Sequence, residues 1–330
     1  MKVTLDLSKL LRDGAITAEE HDRLARLGRR DTGMVLINAL IGFGVIAVTG
    51  GALLLVPNAL TGVILGAILM TAGLGLILSG RAQWSVLANI CILVAALLLG
   101  AGIILLGQGL AQLSGVFDPV SKPPLSLAAS YLIVAVLFAA AAVLARSSLL
   151  AGLTVLMLFA ALGGATAYET AYYGLEVNQP LATVLVFSAL ALIAHLVSRS
   201  LTHDWERLAT TVARVSLFLT NLGFWVGSLW GDDVSWLGHN PAVTISPIAF
   251  ALGWAIALFG AALWAGWANR RWVLNLAVVF GAIHFYTQWF EHLGATPLTV
   301  LAAGIIVLVL AVVLWQLNRR LPPVAAVVSP

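Results

Sequence analysis

Charge is spread along this chain in a way that leaves few folds open: 13 charged side chains fall in the first 33 residues and only 18 in the remainder. Past Asp31 the sequence becomes a series of apolar runs of helix length with short polar punctuation. A helix rises about 1.5 Å per residue, so crossing a hydrocarbon layer of about 30 Å takes roughly 20 apolar residues. Ten stretches meet that requirement, near Met34–Val56, Asn58–Ser79, Trp84–Leu106, Leu127–Ala145, Ser148–Tyr168, Leu181–Val197, Leu208–Trp230, Pro247–Trp267, Trp272–Gln288 and Pro297–Leu317. Pro57, Gly80, the Pro123-Pro124 pair, Gly231, Pro241 and Gly294 separate them, as helix stops and turns do. The expected fold class is all-α: a polytopic membrane bundle of about ten transmembrane helices over residues 34–320. A small cytoplasmic N-terminal helical hairpin, residues 1–33, precedes it, and a cytoplasmic tail, residues 321–330, follows.

Water is a poor solvent for such a chain, with 61% hydrophobic residues, 9% charged residues and a mean hydropathy of +1.02, against about 25% charged in soluble domains. The single cysteine, Cys91, sits in an apolar run, so neither a disulfide framework nor a thiolate metal site is available. The net charge of +3 comes from basic residues at the ends of apolar runs rather than in a patch, which argues for membrane orientation and against nucleic acid. No Gly-rich phosphate loop, His-Glu-x-x-His or Cys-x-x-Cys pair occurs. The reading is therefore non-enzymatic, with no cofactor and no metal. The first apolar run starts near Met34, after a charged stretch and without a small-residue cleavage pattern, so it is expected to act as the signal anchor.

Orientation provides a separate check, because Lys and Arg concentrate in cytoplasmic loops. With the N-terminus inside, the cytoplasmic side receives the seven basic residues of the N-terminal segment plus Arg81, Arg146, Arg199, Arg207, Arg270, Arg271, Arg319 and Arg320, and the outer side only Lys122. Adding or removing one span scrambles this pattern. Tryptophans 84, 205, 230, 267, 272, 289 and 315 fall near predicted span ends, the depth their amphipathic rings prefer. The longest loops, Gly107–Ser126, Glu169–Pro180 and Gly231–Ser246, then all face outward.

In the polar segment, Leu5, Leu7, Leu10 and Leu11 mark a short amphipathic helix ended by Gly14, and Thr17 with Glu20 forms a capping box that opens a second helix. Two such helices bury little surface by themselves. The hairpin is expected to dock on a protein partner, on another protomer as a homo-oligomer, or on the lipid bilayer.

The stretches Leu10-Leu11-Arg12-Asp13-Gly14-Ala15-Ile16-Thr17-Ala18-Glu19-Glu20, Gly107-Gln108-Gly109-Leu110-Ala111-Gln112, and Phe285-Tyr286-Thr287-Gln288-Trp289-Phe290-Glu291 before a last span and Asn318-Arg319-Arg320 resemble the DUF2157 group of predicted bacterial membrane proteins. The resemblance covers most of the chain. It implies a bacterial inner (plasma) membrane location and no chemistry.

Small residues let helices approach closely in lipid; Gly62, Gly66, Gly73 and Gly80 recur on one face of the second span, predicting a packed helix pair within the chain or a homodimer seam. Arg214 is the one formal charge well inside a predicted span, about 9 Å beyond its boundary. With Asn221 seven residues on, it could form an anion or proton site; snorkelling toward the cytoplasmic end is the ordinary explanation. His284, Gln288 and Glu291 follow an i, i+4, i+7 pattern at the outer end of the ninth span and could form a proton relay or cation pocket, with Gln108 and Gln112 as possible companions. The competing account is an interhelical hydrogen bond from His284. The outer acids Asp118, Glu169, Glu176, Asp232 and Asp233, with His239, offer hard oxygen ligands to a divalent cation, but a negative outer surface explains them equally well.

Two functions fit. One is a membrane-embedded sensing or scaffolding component whose hairpin contacts a cytoplasmic partner. The alternative is a small-molecule transporter built like drug/metabolite transporters, with a 5+5 inverted repeat whose halves face opposite ways. Against the repeat, Trp occurs once in the first 200 residues and ten times afterwards.

Overall fold

The computed structural model describes residues 10, 14–17, 19–21, 40–52, 54–55, 58–80, 84–107, 126–169, 172–234 and 243–320. The protein is all-α, about 85% helical. A helix stands at each of the ten predicted stretches: α1 (Leu40–Ala52), α2 (Ala59–Leu78), α3 (Ser85–Gly107), α4 (Leu127–Ala145), α5 (Ser148–Ala161), α6 (Pro180–Ser198), α7 (His203–Trp230), α8 (Pro247–Trp267), α9 (Arg271–Leu293) and α10 (Pro297–Arg320). Among the described residues, seven of these, α2–α4 and α6–α9, are long and apolar enough to cross a membrane. The other apolar stretches are shorter: α1, α5 and, in α10, Pro297–Val309.

The exposure pattern departs from that of a soluble protein, although the packed core is itself largely apolar. Large apolar side chains point outward along helix after helix, with Leu78 84% and Trp267 85% exposed, whereas Ser130, Thr183, Ser216, Thr220, Asn221 and Ser228 are buried. Apolar surface of this extent needs a solvent other than water. In lipid there is no hydrophobic gain from hiding leucine, so small and hydrogen-bonding residues take the helix interfaces.

The fifth stretch departs from expectation. Its helix stops at Ala161, after 14 residues, which reach about 21 Å. The chain turns at Leu162-Gly163, with Gly163 at φ 82, a conformation that favours glycine. It then continues as strand β1 (Gly164–Glu169), antiparallel to β2 (Tyr172–Val177), with Gly164 opposite Val177 and Glu169 opposite Tyr172. Thr166, Tyr168, Tyr172 and Tyr173 belong to the β-branched and aromatic types that favour a pleated backbone. Hydropathy alone cannot tell such a run from a helix end. A second, minimal pairing joins β3 (Asp232–Asp233) to β4 (Thr244–Ile245).

Contacts divide the chain into two compact units, Met1–Gly163 with Ala191–Val215, and Gly164–Leu190 with Ser216–Pro330. In the first, α2 packs on α3, α3 on α4 and α4 on α5, around Ile92, Val134, Phe138 and Leu150. The predicted glycine face makes the first of these contacts: Gly62, Gly66 and Gly73 are buried. A β-carbon on Gly66 would lie 3.0 Å from the Leu99 backbone nitrogen, and one on Gly102 of α3 would lie 2.9 Å from the Ala59 carbonyl. Gly80 is not part of this seam; it sits beyond the helix end at φ 66 with open space around it. Serines begin α4 and α5: Ser126 Oγ accepts from the Ala129 N–H at 3.2 Å and Ser147 Oγ from the Leu150 N–H at 3.4 Å, each satisfying a first-turn donor.

In the second unit, α8 packs on α9 with Trp254, Leu258, Ala277 and Phe280 at the core. Gly223 of α7 meets α6, where a β-carbon would lie 3.0 Å from Thr183 Cγ2 and 3.2 Å from the Pro180 carbonyl. Asp232, buried just past the end of α7, accepts a 2.8 Å hydrogen bond from the Leu181 N–H. It thereby caps the start of α6 from 51 residues along the chain.

Of the N-terminal hairpin, only the turn belongs to the described residues. The Ala15 N–H donates to the Leu10 carbonyl at 2.9 Å, and Gly14 has φ 68, the pattern of a helix end. The capping box is formed: Thr17 N–H donates to Glu20 Oε2 at 2.9 Å, and Glu20 N–H to Thr17 Oγ1 at 3.2 Å. The rest of residues 1–33, and the tail 321–330, lie outside the described residues.

Candidate functional site: a tryptophan-linked polar layer

Two of the predicted polar residues are brought together in the second unit, through the indole of a tryptophan. Trp254 of α8 is fully buried. Its indole N–H donates to Asn221 Oδ1 on α7 at 2.9 Å, and its ring meets the His284 ring of α9 edge to face, with centroids 4.8 Å apart. Asn221 is held in turn by its own helix, where Nδ2 donates to the Leu217 carbonyl at 2.8 Å. One layer along, Trp225 Nε1 of α7 donates to Thr287 Oγ1 of α9 at 3.0 Å. At the end of α9, Trp289 Nε1 donates to the Thr299 carbonyl of α10 at 3.1 Å. Three indoles thus link four consecutive helices, α8 to α7, α7 to α9 and α9 to α10.

This arrangement gives a physical account of the tryptophan bias toward the second half of the chain. An indole carries one N–H, which needs an acceptor wherever water is absent. Trp289 and Trp225 lie within about a turn and a half of their helix ends, near the depth expected of an interfacial anchor, and Trp254 lies deeper, seven residues inside α8. Their position within an apolar run is the signal by which sequence could have found them.

Beside this layer lies a cavity of about 40 Å³, bordered by Thr220, Asn221, Phe224, Leu258 and Val273, room for a single water molecule. Close by, two buried nitrogens one turn apart on α9, His284 Nδ1 and Gln288 Nε2, make no hydrogen bond to the described residues. Glu291, a further turn on, is exposed. The predicted His284–Gln288–Glu291 face therefore offers enclosed donors and acceptors without an enclosed carboxylate. Such a set can bind a neutral or polar group, but it holds no acid–base pair.

Arg214 is exposed on α7 and belongs to the first unit, whereas Asn221 belongs to the second. Gln108 and Gln112 lie outside the described residues, as do Asp118 and His239. Among the described residues no group of three or more His, Cys, Asp or Glu side chains is placed to hold a metal ion.

Compared with protein-family models, curated proteins and solved structures, the chain matches none.

Asp232 lies outside the spans and yields a pH prediction. Burial pushes its carboxyl above the ordinary 3.8, the Leu181 N–H bond opposes that rise, and the Asp233 charge adds to it. A raised pKa means the folded state holds the proton more tightly than the unfolded one. The associated stability is complete below 3.8 and is lost as pH rises through the folded pKa. Asp232→Asn keeps an acceptor for Leu181 and removes the charge. Its Tm is expected to lack this acid-side gain and to equal or exceed that of the parent at neutral pH; a lower neutral-pH Tm would contradict the assignment.

Proposed function

We propose that this chain is an inner-membrane protein of the DUF2157 type that crosses the bilayer ten times with both termini cytoplasmic. In this reading it is a membrane-embedded scaffolding or sensing component, and its N-terminal hairpin makes the partner contact. The observation that carries it is the use of intramembrane polar groups on one another. Trp254 is bonded to Asn221 and Trp225 to Thr287, beside a space for one water. A bundle cross-linked in this way holds its helices in fixed register. The test is affinity capture from cross-linked membranes with the full chain and with a version lacking residues 1–30. The scaffold reading expects partners that disappear with the hairpin; identical partner sets would count against it.

One observation favours the transporter alternative, namely the buried, unpartnered nitrogens of His284 and Gln288, which a passing substrate could engage. An alternating-access site is reached from each side in turn. A thiol placed by Gln288→Cys would then react with impermeant reagents from both faces. The scaffold reading expects reaction from neither.

A further inference from the structure

At one end of the first unit, the C-terminal ends of α2 and α4 and the N-terminal ends of α3 and α7 border a half-open cavity of about 490 Å³, within the ~300–1,000 Å³ range of small-molecule sites; its Asn89 and Arg207 side chains are exposed to the opening. Its lining has two characters. Leu76 and Leu144 contribute apolar wall; Asn89, Arg146, Asp204 and Arg207 contribute polar wall.

Arg146 is already engaged. Its Nη1 donates to Asp204 Oδ2 at 2.9 Å, and its guanidinium carbon lies 5.8 Å from the centre of the Trp205 ring. Its backbone adopts φ 48, a left-handed conformation that is disfavoured for a residue with a β-carbon. The Arg146–Asp204 pair cancels its own charge. Arg207, one turn beyond Asp204 on α7, has no ion pair among the described residues, and its side chain supplies the positive charge left in the lining. Asn89 adds a carboxamide that makes no hydrogen bond to a described residue. The start of α3 reinforces this charge, because its first turn holds no acidic residue to offset the helix N-terminus.

We propose that this cavity binds a phosphate-bearing anion. Arg207 pairs with the phosphate oxygens, Asn89 donates to them, and Leu76 and Leu144 cover the apolar part of the ligand. Guanidinium and phosphate make strong charge-assisted hydrogen bonds. The cavity lies at helix ends, where lipid headgroups sit in a bilayer, so the phosphate can belong to an anionic lipid or to a soluble phosphate ester. The proposal needs these helices to cross a membrane; it does not depend on the scaffold reading or on which face is cytoplasmic.

The test uses the full chain purified in a neutral maltoside detergent. Its Tm is followed against phosphatidylglycerol, phosphatidylcholine and inorganic phosphate. A saturable rise with phosphatidylglycerol is expected, with the half-saturating concentration raised about tenfold by Arg207→Gln, and likewise by Asn89→Leu, which tests the site without removing charge. Arg199→Gln, at the end of α6 and outside the cavity lining, should leave it unchanged. If inorganic phosphate reproduces the rise with the same dependence on Arg207, the ligand is a soluble phosphate. The proposal is overturned if phosphatidylcholine equals phosphatidylglycerol with no response to phosphate, if no ligand raises Tm, or if the Arg207→Gln and Asn89→Leu proteins bind like the parent.

Discussion

Replacing Trp254 by alanine is expected to lower stability by about 3 kcal/mol or more, the range seen when a buried aromatic ring is removed from a close-packed site. The residue is fully buried, contacts the Phe280 ring at 6.3 Å and the His284 ring at 4.8 Å, and bonds Asn221 at 2.9 Å. In lipid the loss comes from forfeited packing contacts and the orphaned Asn221 oxygen rather than from exposure to water. Trp254→Phe separates these terms. It keeps most of the ring and removes the donor, and a single interhelical hydrogen bond in a membrane is worth about 0.6 kcal/mol. Thermal unfolding in detergent should therefore show a large drop for alanine and a small one for phenylalanine. Equal, small effects would mean that Trp254 does not hold α7, α8 and α9 together.

A comparable loss is expected from Gly102→Leu, at the other large seam. With the Ala59 carbonyl 2.9 Å and Val63 Cγ2 2.7 Å from the site of a β-carbon, the obstacle includes backbone, and α2 must move away from α3. Overpacking of a tight core costs about 1–3 kcal/mol, and a rigid backbone neighbour places this case at the upper end. Gly75→Leu supplies the contrast on the facing helix, since nothing lies within 4 Å of its β-carbon position. There the gain in helix propensity, up to about 1 kcal/mol, should leave Tm unchanged or raised. If both variants behaved alike, close approach would not be what pairs α2 with α3.

Helix limits are legible in the sequence where capping chemistry accompanies hydropathy. The predicted stretches Leu127–Ala145 and Pro247–Trp267 coincide with α4 and α8, because Ser126 and Ser246 cap their first turns and Pro247 opens α8. The run after Ser148 has a capped start but no polar break at Ala161, so the change to strand at Gly164 is hidden from hydropathy. Glycine spacing locates the α2 seam but not its partner, and Gly80 shares the period without sharing the contact, because the helix ends before it. In the polar layer, His284 and Gln288 are visible by spacing. Trp254 and Trp225 are not, since an indole is mostly apolar surface although its single N–H decides which helices it joins. Asp232 is visible only as one of several outer acids, because its partner, Leu181, is separated from it by a pair of helices.

Single-cysteine labelling in intact cells reads the sidedness of the loops directly. Cys91 is buried, and Cys91→Ala removes it as a background. In that protein Asn178→Cys, between β2 and α6, and Val243→Cys, before β4, should react with an impermeant thiol reagent added outside. Ser200→Cys, between α6 and α7, and Arg270→Cys, between α8 and α9, should react only after the membrane is permeabilised. Reaction of all four from one side, or of Asn178→Cys and Ser200→Cys from the same side, would contradict a chain that threads the bilayer through α6 and returns through α7.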